Sequence, residues 1–327
     1  MASPLQTVLD TVAPITVDSL SQPSTITFLG NDLVQAIANA KPVNVAATPG
    51  APFDTIYAFG DSLTDAGNIS FVTRGIVPVS PPYAGVFSNG PVWVQDLAVT
   101  MGLPVPQASL GGGTDFAYGG AQTGQTPIHA VNPTDLTSQI SQFTTQVANP
   151  LPNALYAIWA GNNDVLAIAN NTALTPEQQQ ADVGAAVGNE IASIQALIAR
   201  GATDFVVLNV PDIGRTPNEQ SHAATATSLS ALYDSELATA IQRLQGAVKI
   251  DLVDTFAVIN AAIANPAAFG FTDVTAPAWT GNLVNPSSGT LSPTASTHLF
   301  FDGLHPTAMA HALLATDVNQ TLAATFA

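Results

Sequence analysis

Residues 55–63 read Thr-Ile-Tyr-Ala-Phe-Gly-Asp-Ser-Leu, a short apolar run followed by a glycine, two polar residues and a leucine. A run of this length, bounded by turn residues, is typical of a buried strand. Three further runs have the same character: Ala154–Trp159, Phe205–Val210 and Val248–Val253. Helical patterns separate them, and strands that alternate with helices indicate a parallel sheet covered on both faces. The sequence therefore predicts an α/β fold.

Helix boundaries are clearest after the second strand. Thr175 is a good capping residue and Pro176 suits the first helical position, so a helix is predicted from there to Ile198. Another helix is predicted over Ala226–Leu244, and a last one after Pro306.

The first 51 residues form a separate stretch that ends in a segment rich in proline and glycine. Such a segment is a plausible boundary. We predict an N-terminal extension over residues 1–51, whose structure the sequence does not define, and one main domain over residues 52–327. Apolar positions in the extension suggest that it packs on the core: Val8, Val12, Ile26, Leu29, Leu33, Val34 and Ile37.

Composition limits the classes of partner. Six basic residues stand against 23 acidic ones, for a net charge of −17. Nucleic acid and anionic membrane surfaces should repel such a chain. No apolar run approaches the roughly 18 residues that a transmembrane helix needs. The chain has no cysteine, which excludes disulfides and thiol chemistry, and no cysteine pair or His-Glu-x-x-His motif indicates a metal.

Two distant segments contain groups that could act together in nucleophilic catalysis. Ser62 follows the first strand, and Asp302-Gly-Leu-His305 lies near the C-terminus. A serine hydroxyl becomes a useful nucleophile when an imidazole takes its proton, and a carboxylate orients that imidazole. The other four histidines, His129, His222, His298 and His311, are expected to be surface or loop-packing residues.

Two segments between these ends could supply an oxyanion hole, residues 115–121 and residues 159–164. The first contains adjacent glycines and the second contains adjacent asparagines. A glycine N–H and an asparagine amide are suitable donors for a developing negative charge.

At these four segments the chain resembles the SGNH, or GDSL, hydrolases, whose four blocks contain serine, glycine, asparagine and histidine. Residues 59–68, 116–121, 161–164 and 302–305 are similar to the four blocks in order. Residues 83–94 further resemble the branch with plant GDSL lipases, bacterial lysophospholipase- and haemolysin-type members and autotransported esterase passengers. The resemblance implies a three-layer α/β/α, flavodoxin-like fold with a mostly parallel sheet of about five strands.

The resemblance also implies a role for each block. Ser62 would be the nucleophile, His305 the base and Asp302 its orienting carboxylate. The oxyanion donors would be the N–H groups of Ser62 and Gly119 and the side chain of Asn163. Gly120 and Asn162 remain alternatives to their neighbours. Three further family positions, Asp65, Asn68 and Asp164, are interpreted as hydrogen-bond partners that fix loops.

Two long turn-rich segments, Ser70–Pro91 and Asp273–Phe300, flank the serine and histidine blocks and are expected to form substrate-binding walls. The candidate wall residues are Tyr83, Phe87, Trp279, Leu291 and Phe300.

The sequence thus predicts a serine esterase or lipase without a cofactor, acting on a small-molecule or lipid ester through an acyl-enzyme. Alternatives are a carbohydrate acetylesterase, a phospholipase or acyltransferase, and, from another class, an inactive secreted binding module. A secreted or cell-surface location is expected, although no Lys or Arg precedes Lys41 to give a signal-peptide pattern.

Overall fold

The computed structural model describes residues 30–244, 246 and 248–326. Its sheet has four parallel strands that lie side by side in chain order. They are β1 (Thr55–Gly60), β2 (Ala154–Trp159), β3 (Asp204–Leu208) and β4 (Lys249–Val253). The four predicted strands are confirmed, with ends that differ by two residues at most.

The resemblance implies about five strands; the sheet of the described residues has four, with a single bridge to Asp115 beyond β1. On the free edge of β1, the Ala58 N–H donates to the Thr114 carbonyl at 3.0 Å, and the Phe116 N–H donates to the Ala58 carbonyl at 2.8 Å. After β1 the chain therefore passes along one edge of this strand, at Asp115, and then forms β2 on the opposite edge. Such a reversal creates a crevice beyond the carboxyl ends of the two strands.

Nine α-helices lie within the described residues. They are α1 (Gly30–Ala38), α2 (Asn68–Val72), α3 (Trp93–Met101), α4 (Leu136–Gln146), α5 (Asn162–Asn170), α6 (Pro176–Ile198), α7 (Ala223–Gln242), α8 (Thr255–Ala264) and α9 (Ala308–Phe326). Helix α6 has the predicted bounds, and its first turn is capped by the Thr175 hydroxyl, which accepts from the Gln178 N–H at 3.3 Å.

Helices cover both faces of the sheet. Alternate side chains of β1 enter different cores, because successive side chains of a strand point to opposite faces. Tyr57 and Phe59 pack with residues of α4, α5, α6 and α7. Ile56 and Ala58 pack with residues of α3, α8 and α9. This is the three-layer α/β/α arrangement.

The described part of the extension packs on this body. Leu33 of α1 is buried in a small apolar cluster with Ile69, Phe87 and Tyr118. Val43 is buried in the core of the α4 face, and its N–H donates to the Gln146 carbonyl at 3.1 Å. Four apolar positions of the prediction lie outside the described residues: Val8, Val12, Ile26 and Leu29. Within the described ranges, no helix is both long and apolar enough to cross a bilayer.

Candidate active site

The loop after β1 is fixed by a glutamine from α4. Gln139 accepts the Gly60 N–H at 2.9 Å and donates to the Gly60 carbonyl at 2.6 Å. Gly60 has φ 149°, and a Cβ there would lie 2.2 Å from the Trp159 carbonyl oxygen. Only glycine therefore fits at the point where the chain turns into Asp61 and Ser62. Sequence reasoning missed Gln139, because its spacing from the serine block gives no sign of contact.

Three side chains from the two ends of the chain meet beyond the sheet. The Ser62 Oγ lies 3.0 Å from the His305 Nε2. The His305 Nδ1 lies 2.8 Å and 3.0 Å from the two carboxylate oxygens of Asp302. All three residues are more than 90% buried. A hydroxyl, an imidazole and a carboxylate that contact one another in this order have the geometry that nucleophilic catalysis requires.

Asp302 is surrounded by donors. Its Oδ1 accepts the N–H groups of Leu304 at 2.8 Å and His305 at 2.7 Å, and its Oδ2 accepts the Tyr83 hydroxyl at 2.7 Å. Burial by itself would raise the pKa of Asp302, but the charge on His305 and these hydrogen bonds outweigh it and hold the pKa below its ordinary value. The carboxylate therefore remains ionised beside the imidazole.

Phe87 packs against the His305 imidazole, and its ring is the reason that residue 119 is a glycine. Its ring centroid lies 5.2 Å from that of His305. A Cβ at Gly119 would lie 2.3 Å from the Phe87 Cζ, so a larger residue there would displace the ring. The Gly119 N–H donates to Asp65 Oδ2 at 2.9 Å and is already engaged. Within the described part of the chain, no acceptor contacts the N–H of Gly120 or that of Ser62.

The two asparagines at the start of α5 differ in their contacts. Asn162 donates to Asp61 Oδ2 at 2.8 Å, and its own Oδ1 is buried without a partner. Asn163 donates one amide proton to the Ala121 carbonyl at 2.8 Å. A side-chain amide has two protons, so Asn163 retains one for another acceptor.

The loop-fixing roles of Asp65, Asn68 and Asp164 are confirmed by their hydrogen bonds. Asp65 joins its own loop to Gly119 by accepting both the Asn68 and Gly119 N–H groups. Asn68 donates to the carbonyls of Asp115 and Ala117. Asp164 accepts the Thr123 N–H at 3.0 Å and its hydroxyl at 2.9 Å.

Several of the carboxyls near the site have raised pKa values. Burial raises the pKa of Asp61 to about 6, although hydrogen bonds from Leu63 and Asn162 offset part of the effect. Burial also raises the pKa of Asp65 to about 6 and that of Asp164 to about 7.

A further buried carboxyl lies behind the Gly161 turn. The Tyr233 ring occupies the space that a Gly161 Cβ would need, and its hydroxyl donates to Glu190 Oε2 at 2.5 Å. The other Glu190 oxygen has no partner among the described residues. Burial raises the pKa of Glu190 to about 8.

A partly open cavity of about 40 Å³ lies beside Ser62 and Asn163. Its remaining wall is mostly apolar and comes from the end of β2, from α5, α8 and α9, and from the loops after β3 and before α9. Wall residues include Leu166, Ile213, Ile259, Phe300, Leu304 and Leu314. The mostly apolar space of the cavity therefore lies directly beside Ser62.

Of the five predicted wall residues, only Phe300 lines this cavity. Tyr83 and Phe87 are buried and contact Asp302 and His305 respectively, so their role as walls stays a prediction. Trp279 is buried with Tyr83 and Phe301 between the two long loops. Leu291 is 50% exposed and pairs with Trp279 away from the cavity.

The other histidines follow the prediction with one exception. His298 packs within its loop, 3.1 Å from the Ala276 carbonyl, and His129 contacts Asp135 at 2.8 Å. His311 is neither a surface nor a loop residue: it is fully buried in α9, and its Nδ1 accepts the Trp93 N–H at 3.3 Å. Burial, reinforced by the charge on His305, lowers the pKa of His311 to about 3, so it stays neutral.

A family model described as GDSL-like lipase/acylhydrolase matches residues 56–318. The chain belongs to this family. This protein is therefore a hydrolase that acts on ester bonds.

Three relatives are similar over different shares of the chain. A phosphatidylcholine-sterol acyltransferase of Aeromonas hydrophila is 30% identical over 73% of this chain and 69% of its own length. A GDSL esterase/lipase of Arabidopsis thaliana is 26% identical over 80% of this chain and 83% of its own. An acetylesterase of Thermothelomyces thermophilus is 31% identical over 49% of this chain and 57% of its own.

Proposed function

We propose that this GDSL hydrolase cleaves carboxylic esters through an acyl-enzyme, with Ser62, His305 and Asp302 as a catalytic triad. The observation that carries the proposal is the 3.0 Å approach of the Ser62 hydroxyl to the His305 Nε2, with the Asp302 carboxylate on the opposite ring nitrogen. Ser62 attacks the ester carbonyl while His305 takes its proton. His305 then protonates the leaving alcohol, and Asp302 stabilises the transient imidazolium.

Three donors stabilise the tetrahedral oxyanion in this proposal. They are the Ser62 N–H, the remaining amide proton of Asn163 and the Gly120 N–H. Gly120 takes the place first given to Gly119, because the Gly119 N–H is directed at Asp65. Donors that are fixed before the reaction stabilise the developing charge without reorganisation.

Water completes the cycle. His305 takes a proton from the attacking water, which adds to the acyl carbonyl carbon. Collapse of the second tetrahedral intermediate returns the proton to Ser62 Oγ and releases the carboxylic acid. An alcohol in place of water would give acyl transfer, the reaction that the name of the Aeromonas relative describes.

The test is covalent labelling. A p-nitrophenyl alkylphosphonate should inactivate the protein and add one phosphonyl group to Ser62, as located by mass spectrometry. Ser62→Ala should abolish both labelling and hydrolysis of p-nitrophenyl acetate. An adduct on another serine, or turnover that survives in Ser62→Ala, would refute the assignment of the nucleophile.

The cavity favours a short acyl group. Pockets for larger ligands occupy about 300–1,000 Å³, whereas a single water needs at least roughly 10–15 Å³. At about 40 Å³, this cavity has room for an acyl group of a few carbons. The acetylesterase relative is compatible with this preference.

A series of p-nitrophenyl esters tests the preference for short acyl groups. We expect kcat/KM to be highest for acetate to butyrate and to fall steeply for octanoate. Leu166→Ala, which enlarges the cavity, should shift the optimum to longer chains. Leu291→Ala removes a similar side chain outside the cavity and should leave the profile unchanged. A wild-type optimum at octanoate or beyond would contradict the assignment of the cavity to the acyl group.

A further inference from the structure

The Asp302 oxygen that faces the base has a second partner. Asp302 Oδ2 lies 2.8 Å from the His305 Nδ1 and accepts the Tyr83 hydroxyl at 2.7 Å. We propose that Tyr83 is a positioning residue that sets the orientation and the proton affinity of the Asp302–His305 pair. This inference rests on the proposed function, because it assigns a role within the same triad.

Tyr83 is held rigidly by both long loops. Its ring packs edge-on against Phe301, with centroids 4.9 Å apart and planes at 87°. Its N–H donates to the Val79 carbonyl at 3.2 Å, and the Val79 N–H donates to the Leu283 carbonyl at 2.7 Å. The phenol is only 2% exposed, so its hydroxyl has one fixed direction, toward the carboxylate.

The phenol can only donate to Asp302. Burial, together with the neighbouring carboxylate, raises the pKa of Tyr83 far above its ordinary value, and the group stays protonated throughout the working pH range. A hydrogen bond to an ionised acceptor is stronger than one between neutral groups. Tyr83 therefore stabilises the negative charge on the oxygen that attracts the imidazole proton.

Loss of this hydrogen bond should shift the pH dependence of kcat/KM in a defined direction. Without the phenol, the buried carboxylate is less well stabilised, and the Asp302–His305 pair binds a proton more tightly. The imidazole then becomes available as a base only at higher pH, so the acid limb of the kcat/KM profile moves to higher pH. A purely structural role for Tyr83 predicts a lower rate at every pH with the limb in its original position.

The first experiment compares Tyr83→Phe with Tyr57→Phe. Both remove one hydroxyl from a buried tyrosine, but Tyr57 lies on β1, where its partner is the backbone of Leu151. We expect Tyr83→Phe to lower kcat/KM on p-nitrophenyl acetate about tenfold or more, the effect of losing one hydrogen bond to a charged group. Its acid limb should move up by about one pH unit, since a tenfold change in proton affinity is one unit. Tyr57→Phe should leave the limb unchanged.

A double-mutant cycle tests whether the effect passes through Asp302. In an Asp302→Asn background, Tyr83→Phe should change kcat/KM less than about twofold, because the charge that the phenol stabilises is gone. A full tenfold loss in that background, or an unmoved acid limb in the single variant, would overturn the proposal.

Folding and the identity of the nucleophile are checked separately. Tyr83→Phe keeps the ring and should melt cooperatively. If it does not fold, Phe301→Leu displaces the phenol without removing it and should move the acid limb in the same direction; an unmoved limb would again overturn the proposal. Phosphonate labelling of wild-type Ser62 distinguishes failure of this inference from failure of the proposed function.

Discussion

Asn162 and Asn163 are adjacent and buried, and they differ in what their amide groups contact. Asn162 donates a hydrogen bond to Asp61 in the serine loop, whereas Asn163 has one amide proton left and lines the same cavity as Ser62. The spacing of the third block selected Asn163, and the hydrogen bonds support that choice.

Asn163→Ala should lower kcat for p-nitrophenyl acetate by about 10²–10³, the usual effect of removing one oxyanion donor. Asn162→Ala should lower kcat less, because its loss loosens the Asp61 loop without removing a donor to the substrate. Steady-state kinetics of the two variants, with melting curves as a check on folding, make the comparison. If Asn162→Ala were the more damaging change, the assignment of Asn163 would be wrong.

The sequence predicted Ser62, Asp302 and His305 as candidate site residues because each lies in a short motif with fixed spacing, and the structure brings the three together. It did not distinguish Gly119 from Gly120. That difference depends on two contacts over long separations, the Asp65 carboxylate on the Gly119 N–H and the Phe87 ring against the glycine. Tyr83 was predicted as a wall residue because it is an aromatic residue in a long loop. No local pattern indicates its hydrogen bond to Asp302, which is 219 residues away.

At the level of elements, the buried strands and α6 followed from local signals, a run of apolar residues and a capped, proline-led first turn. The helices that the sequence missed include α2 and α5, which begin in loops of the site. Their N-cap residues, Gly67 and Gly161, have left-handed backbone conformations and no capping side chain. Tertiary contacts such as that of the Tyr233 ring with Gly161 position these helices. Such contacts give no local pattern in the sequence.

Helix α1 offers a test of whether the extension is part of the folded body. Leu33 is 4% exposed in the cluster that contains Phe87, whereas its neighbour Val34 is 48% exposed. Leu33→Ala should lower the free energy of unfolding by about 2–5 kcal/mol through a buried cavity. Val34→Ala is the matched control and should stay within about 0.5 kcal/mol.

Chemical denaturation of the two variants gives both values. Equal, small effects would show that α1 contributes little to stability in solution. Because Phe87 contacts both the Leu33 cluster and His305, we also expect Leu33→Ala to reduce kcat/KM, which Val34→Ala should not do.

The whole molecule has a formal net charge of −17 at pH 7, and several of its carboxyls are buried. Burial raises the pKa values of Asp61 and Asp65 to about 6, of Asp164 to about 7, and of Glu190 and Asp234 to about 8. A carboxyl whose pKa is higher in the folded state favours folding below its unfolded pKa of about 4, and this contribution is lost as pH rises through the folded value.

The melting temperature should therefore fall as pH rises from about 5 to about 8. Asp302 has the opposite shift, but its contribution changes only below its ordinary pKa. Differential scanning calorimetry across this range measures the slope. Glu190→Gln should flatten it, whereas Glu177→Gln, at a fully exposed carboxyl, should not. A melting temperature that rises toward pH 8 would contradict the raised pKa values.

The same buried carboxyls make folding an event that takes up hydrogen ions. At pH 6 the folded chain retains protons on Asp164, Glu190 and Asp234 that an unfolded chain would give up, because ordinary carboxyls are ionised there. Thermal unfolding in a weakly buffered solution should consequently acidify the medium. The heat absorbed during the transition should also depend on the ionisation enthalpy of the buffer, so phosphate and histidine buffers at one pH should give different calorimetric enthalpies for the same melt.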